Sequence, residues 1–215
     1  MNFHALQIEE VLEVLETDFI GLDQKEAEIR LQKYGQNVLP EEKKSILRIF
    51  FKQFKNIFNL VLIFALFLTF LLQKFTDSVV IFLIILFNVL IGFFFETRAE
   101  KTLEKLKEFL KPKAKVLRNK ELREVEIENL VPGDVVFIEE GDIIPADLRF
   151  FEVENLKIDE SILTGESLPV EKNIKTLDEK VPIPERKNLG FMGSYVVEGK
   201  GKGIVFATGI NTYIG

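Results

Sequence analysis

The sequence predicts an α+β membrane protein: an amino-terminal helical module, a two-helix transmembrane hairpin and a β-rich domain. Three observations predict it. Hydrophobic residues make up 47% of the 215 and charged ones 29%, yet the two kinds are segregated, with the uncharged apolar runs gathered between Ile57 and Phe95. Ahead of that band the apolar residues keep helical spacing. From Lys113 onward short β-branched runs alternate with turns such as Pro-Gly-Asp and Glu-Gly-Asp.

Residues 1–48 form the amino-terminal module. Ile8, Val11, Leu12 and Leu15 follow the i, i+3, i+4, i+7 pattern of an amphipathic helix. Asp23 and Glu26 have the spacing of a capping box for a second helix; Ala27, Leu31 and Tyr34 are its apolar stripe, and Gly35 can close it in the left-handed conformation. The run "NVLPEEKK", Asn37 to Lys44, reads as a hinge. His4 is the single histidine and reads as solvated, because metal sites need clustered ligands.

Two membrane spans are expected over 49–73 and 76–96. "NIFNLVLIFALFLTFLLQ" and "VVIFLIILFNVLIGFFFE" carry no charge until the final Glu96, and each is near the roughly 17–25 residues that cross a bilayer as a helix. Phe50, Phe51 and Phe54 extend the first. Apolar residues cover every helical face, unlike the single stripe of a soluble helix. The turn Lys74–Ser78 is too short for a domain, so the spans run antiparallel. Lys43, Lys44, Arg48, Lys52 and Lys55 precede them and Arg98, Lys101, Lys105, Lys107 and Lys111 follow, against Lys74 alone in the turn, so both long flanks are expected to be cytoplasmic. The charged, folded-looking segment ahead of the first span argues against a signal peptide. Asn59, Thr69 and Asn88 are expected to make interhelical hydrogen bonds. Residues 97–112 continue the second helix as a rod with interleaved acids and bases, ended by Pro112.

Residues 113–215 form the β-rich domain, with runs "AKVL", "REVEI", "DVVFI", "LRFFEV", "SYVV" and "GIVFATG". Lys172 to Asn188, polar with two prolines, reads as a mobile excursion. Asp134, Asp142 and Asp147 flank Gly or Pro and read as turn-capping acids rather than metal ligands. The absence of cysteine excludes disulfides, thiolate zinc sites and a thiol nucleophile. A net charge of −6 argues against a nucleic-acid partner. The most pointed motif is "LTGESLPVEK", in which a Thr-Gly turn holds one carboxylate, Glu166, between two short apolar runs.

"LVPGDVVFIEEGDIIPADLRFF", "IDESILTGESLPVEK" and "GFMGSYVVEGKGKGIVFATGINTYIG", placed after a two-span hairpin, resemble the actuator region of P-type cation-transporting ATPases. "GLDQKEAEIRLQKYGQNVLP" resembles the segment that opens many of these pumps, and "QFKN" the entry to their first span. The resemblance covers nearly the whole chain and implies that the β-rich domain is a distorted jelly roll. It also implies a role for the opening motif. These pumps pass through an aspartyl-phosphate, and their Thr-Gly-Glu loop swings onto it to direct water. Carried over, Glu166 is the water-directing base, Thr164 and Gly165 shape the turn, Ser167 holds the loop, and Asp159 and Glu160 brace it.

The family's Asp-Lys-Thr-Gly-Thr motif and nucleotide domain are missing, and no P-loop replaces them. The chain is therefore expected to be an amino-terminal fragment whose partners are the lipid bilayer, the catalytic half of the pump and the transported cation. ATP and Mg2+ would serve the full-length pump and neither would bind this fragment, which is expected to be inactive alone. "DES" before "LTGES" and the "FMGS" to "ATG" ending lean toward the calcium-pump branch. Gly193-Ser194 departs from the commoner Gly-Thr, and the first span lacks the acid that animal-type calcium pumps place there. A proton pump and a non-catalytic, membrane-anchored regulatory module are the alternatives.

Overall fold

The structure, a computed structural model, describes residues 1–40, 45–109, 111–165 and 168–215. They fall into two compact units, one of Met1–Pro40 with Lys111–Gly215, the other of Glu41–Leu110.

The first unit opens with a 3-10 turn at Phe3–Ala5 and helix α1 (Ile8–Val14). Gln7 and Glu10 form a reciprocal capping box on α1, satisfying amides that a helix start leaves orphaned. Val11 is fully buried, with Ile8, Leu12 and Leu15 packed around it. Helix α2 (Gln24–Tyr34) starts at Asp23, whose carboxylate accepts the Glu26 amide at 2.8 Å. The reciprocal half of this expected box is not made, because the Glu26 carboxylate takes Arg30 Nε at 2.7 Å instead. Ala27 is buried, but Tyr34 stays 46% exposed, so the apolar stripe stops one turn early. Gly35 ends α2 at φ 79° and ψ 179°, a positive φ outside the left-handed helical region proper.

The second unit holds α3 (Ile46–Phe54), α4 (Ile57–Leu71) and α5 (Phe75–Phe109). The first apolar stretch, expected as one helix from 49 to 73, is bent by 60° between α3 and α4. Asn56 is the reason. Its side chain accepts the Phe58 amide at 3.2 Å, an N-cap that starts a new helix, while Asn59 Nδ2 donates at 2.8 Å to the Gln53 carbonyl, which also takes the Asn56 amide at 3.4 Å as α3 ends. Helix α5 is long and apolar enough to cross a membrane, and the bent pair α3–α4 passes the same test only when taken as one span.

Ile85 and Val89 form the buried stripe of α5. One turn on, Gly92 lets α3 approach closely, since a Cβ there would come within 2.4 Å of Gln53 Oε1. Gln53 Nε2 and Lys52 Nζ then reach Glu96 at 2.5 and 2.7 Å. Ser78 Oγ donates to Thr69 Oγ1 at 3.0 Å, joining α5 to α4. Asn88 departs from expectation: it lies off the buried stripe, exposed, with no hydrogen-bond partner among the described residues.

Back in the first unit, the strands are β1 (Lys113–Arg118), β2 (Glu121–Glu126), β3 (Val135–Glu139), β4 (Asp147–Asp159), β5 (Val170–Glu171), β6 (Leu189–Gly190) and β7 (Tyr195–Ala207). They make one antiparallel sheet in the order β2-β1-β3-β7-β4-β5, with β6 added beside β4. A single helical turn, α6 (Ser161–Thr164), follows β4. "SYVV" and "GIVFATG", which read as separate runs, lie in one 13-residue strand. Gly199 makes that possible: at φ 81°, it passes a bulge where a Cβ would sit 2.4 Å from the Glu154 and Asn155 carbonyl oxygens.

Side chains alternate across this sheet, and both faces are covered. Val136 and Val205 point into a core with Val116, Leu130, Ile138, Leu148, Phe150 and Ile158. Their neighbours Val135 and Ile204 pack on the other face against Val11, Phe3 and Leu6, so α1 is the second layer.

The amino-terminal module and the excursion at 172–188 are tied down by buried polar groups, which corrects three expectations. His4 is fully buried, not solvated; its Nε2 lies 3.2 Å from the Glu179 carbonyl, and burial holds its pKa below the ordinary value. Asn37 is no hinge: Nδ2 donates to the Ile127 and Pro145 carbonyls at 3.1 and 2.8 Å, and Oδ1 accepts the Gly209 amide at 2.8 Å. Residues 41–44, the rest of that expected hinge, lie outside the described residues.

The excursion is pinned rather than loose. Asn188 Nδ2 donates to the His4 and Lys175 carbonyls, both at 2.8 Å, and the Leu177 amide also reaches His4. Arg149, 1% exposed, donates to the carbonyls of Phe3, Leu6, Phe150 and Ile174. Buried carbonyls need donors, and here Asn188 and Arg149 supply them across distant stretches of chain.

Candidate functional site

The Thr-Gly turn grows out of the far end of β4. Ile158 is buried and pairs with both Val170 and Val196, so the strand is fixed on two sides up to the point where it ends. Asp159 then accepts the Ser161 amide at 2.9 Å, and that bond draws its pKa down. Glu160 is the pivot of the turn. Its carbonyl accepts the amides of Leu163 and Thr164 at 2.9 and 3.0 Å and the Thr164 hydroxyl at 3.1 Å.

Gly165 closes the turn in the left-handed conformation, at φ 75°, with its amide on the Ser161 carbonyl at 2.9 Å. A Cβ at Gly165 would meet nothing within 4 Å, so glycine is required there by backbone conformation and not by space. Glu166 and Ser167 lie outside the described residues. The chain resumes at Leu168, 80% exposed, and returns through β5, where Ile158↔Val170 and Lys157↔Glu171 bring the two feet side by side. Asp159, Glu160, Thr164 and Gly165 are thus gathered in one turn.

Beneath it lies a residue that sequence reasoning missed. Lys172 Nζ stands 2.5 Å from Glu160 Oε1, with both side chains excluded from solvent. Among the described residues neither the carboxylate nor the ammonium has a hydrogen-bond partner, so the two are joined by charge at close range. Burial raises the Glu160 pKa and lowers that of Lys172, each partner opposing the shift of the other. A lysine at a strand end carries no local sign of burial; the only hint was its place after the apolar Pro169-Val170.

Of the three acids expected to cap their own turns, Asp134 and Asp142 do so, whereas Asp147 opens β4 and binds distant amides instead. Asp142 accepts the Glu139 amide at 2.9 Å. Asp134 accepts the Val131 amide and also a two-pronged contact from Arg118. Asp147, fully buried, accepts the amides of Met192 and Tyr213 at 2.9 and 2.7 Å, joining the "FMGS" stretch to the final turn.

Burial lifts the Asp147 carboxyl from 3.8 to about 6, against the pull of its two amides. Its unfolded form loses the proton first, so the stability this group contributes is complete below about pH 4 and is lost as pH rises through about 6. Urea midpoints of the detergent-solubilised chain should therefore fall over that window more in the parent than in Asp147→Asn. Identical pH profiles for the two would contradict this.

With the turn and its anchors in place, comparison with known proteins identifies the class. Residues 108–215 match the family model of the P-type ATPase actuator domain, and residues 3–69 match the model for the amino terminus of cation transporter ATPases. The chain belongs to the P-type ATPases. It is 42% identical over 218 residues to a calcium-transporting ATPase of Bacillus subtilis, an alignment that takes in 100% of this chain and 24% of that protein. It is 39% identical over 214 residues to a probable cation-transporting ATPase F of Mycobacterium tuberculosis, covering 99% and 24%. A sodium/potassium exporting P-type ATPase of Schizosaccharomyces pombe is 41% identical over 199 residues, 91% of this chain and 19% of that protein. The chain thus spans about a quarter of the length of the first two relatives.

Proposed function

We propose that the chain supplies the first membrane helices and the actuator of an ATP-driven cation pump, and that the ion moved is calcium or a related cation. The observation that carries the reading is the actuator match over 108–215, which spans the anchored Thr164–Gly165 turn. Calcium is favoured by the calcium-transporting relatives of Bacillus subtilis and Listeria monocytogenes.

In this reading residues 1–48 are the amino-terminal module, 49–73 and 76–96 the two spans of a transmembrane hairpin, 97–112 the helical extension and 113–215 the actuator, a distorted jelly roll. The basic residues on both flanks support a cytoplasmic location for them. The single unit formed by Met1–Pro40 and Lys111–Gly215 supports this, since its two pieces have to meet on one side of the bilayer.

The chemistry assigned to the loop is dephosphorylation of an aspartyl-phosphate carried by the rest of the pump. Glu166 accepts a proton from the attacking water, while Thr164 and Gly165 shape the turn and Ser167 holds it. The Thr164 hydroxyl is directed at the Glu160 carbonyl, which suits a supporting role. In this reading ATP and Mg2+ belong to the rest of the pump, and the chain alone is expected neither to bind nor to hydrolyse ATP.

The test is transport by vesicles containing the full pump. ATP-driven, vanadate-sensitive uptake of radiolabelled calcium is the expected result. Uptake of a different cation alone would correct the ion, and no ATP-driven transport of any cation tried would overturn the reading.

A further inference from the structure

We infer that Lys172 is a positioning residue for the Thr164–Gly165 turn, acting through its buried ion pair with Glu160 to clamp the two feet of the loop together. The inference rests on the reading of that loop as the dephosphorylating element of a pump.

The placement of the pair carries the argument. Glu160 is the residue whose carbonyl gathers the Leu163 amide and both the amide and hydroxyl of Thr164. Whatever fixes Glu160 fixes the pivot of the turn. Its carboxylate is fixed by Lys172, 2.5 Å away on the returning strand. Lys172 is itself held, since its amide donates to the Leu156 carbonyl at 2.9 Å and its ammonium lies 5.5 Å from the centre of the Phe191 ring. That ring is buried edge-on against Tyr213. The clamp thus runs from the turn to strand β4 and the aromatic packing beneath.

Stability alone does not account for such a pair. Taking two charges out of water costs as much as their attraction returns, and a well-packed apolar pair of the same volume holds a fold at least as well. This pair is also poorly provisioned: an ammonium has three donors, and among the described residues only Glu160 stands within ion-pair distance of it. What an ion pair adds over an apolar contact is a strong attraction between two particular atoms, which holds the two feet of the loop in register, and phosphoryl transfer depends on such positioning. Direct contact of Lys172 with phosphate is ruled out by the complete burial of its side chain.

The experiment uses the full pump, phosphorylated from ATP and then chased, in the parent, Glu160→Gln, Lys172→Met, the double variant, the reversed pair Glu160→Lys with Lys172→Glu, and Glu166→Gln. Both single variants are expected to form phosphoenzyme to the parental level and lose it on the order of tenfold to a hundredfold more slowly. The double variant should decay no more slowly than the slower single, and the reversed pair should recover part of the rate. If Lys172→Met does not fold, Glu160→Gln and the reversed pair carry the test.

Parental decay in the single variants beside slow decay in Glu166→Gln would overturn the inference and leave the pump reading standing. Parental decay in Glu166→Gln would bring down both. Formation and decay falling together, or single effects that multiply in the double variant, would reduce the pair to a structural contact and overturn the positioning role.

Discussion

Glu166→Gln is expected to leave the full pump able to form its phosphoenzyme and to slow its decay by roughly 10²- to 10⁴-fold, the range that a positioned general base contributes. Glutamine keeps the length and shape of the side chain and can still hold a water by its amide, but it cannot take the proton that the water must lose. In the proposed pump phosphoenzyme formation is assigned to groups outside this chain, so a parental level of it would report independently that the variant is folded. Transport should fall with decay, because each cycle has to clear the phosphate. A chase showing parental decay would remove Glu166 from this role.

Arg118→Met should destabilise the β unit by roughly 3–5 kcal/mol, as when one partner of a buried ion pair is removed. The two residues meet fork to fork, Arg118 Nε on Asp134 Oδ1 at 2.9 Å and Nη2 on Oδ2 at 2.7 Å, with the Arg118 side chain 4% exposed and that of Asp134 fully buried. Asp134 also holds the Val131 amide at 3.0 Å, and Arg118 the Asn129 carbonyl at 3.2 Å. Loss of Arg118 leaves a carboxylate with no cation in a dry site. The double variant Arg118→Met with Asp134→Leu should recover much of the loss, because it removes the stranded charge. Denaturant titrations of the solubilised chain, followed by far-ultraviolet circular dichroism, measure both. A single variant within 1 kcal/mol of the parent would show the pair to be dispensable.

The elements that the sequence makes legible are those specified by residues close together in the chain. The amphipathic spacing of Ile8 to Leu15, the cap at Asp23, the long rod of α5 and the turn acids Asp134 and Asp142 are of this kind. The break at Asn56 was legible in principle, since Asn is a strong cap, but the apolar residues on either side masked it. What escaped was long-range. Asn188 and His4 are 184 positions apart, and the ties of Arg149 to Phe3 and Leu6 span nearly as much. No local periodicity marks a polar side chain that will be buried against a carbonyl so distant. The same holds at the candidate site: the motif made Thr164, Gly165 and Glu160 visible, whereas Lys172 became visible only when β5 folded back on β4.

The division of one unit between the two ends of the sequence has a consequence for synthesis. Val135 and Ile204 lie bare until α1 covers them, yet α1 leaves the ribosome well before its docking surface, with Glu41–Leu110 between. At roughly 5–20 residues per second, the stretch from α1 to Ile204 takes on the order of 10–40 seconds to make, and the amino-terminal helices wait that long for the sheet. Through that interval Phe3, Leu6, Ile8 and Val11 have no partner strand, and His4 and Asn37 none of their buried bonds. The nascent chain therefore carries an uncovered apolar surface on α1 until β7 reaches back to it, which makes that interval the one in which it is most prone to stick.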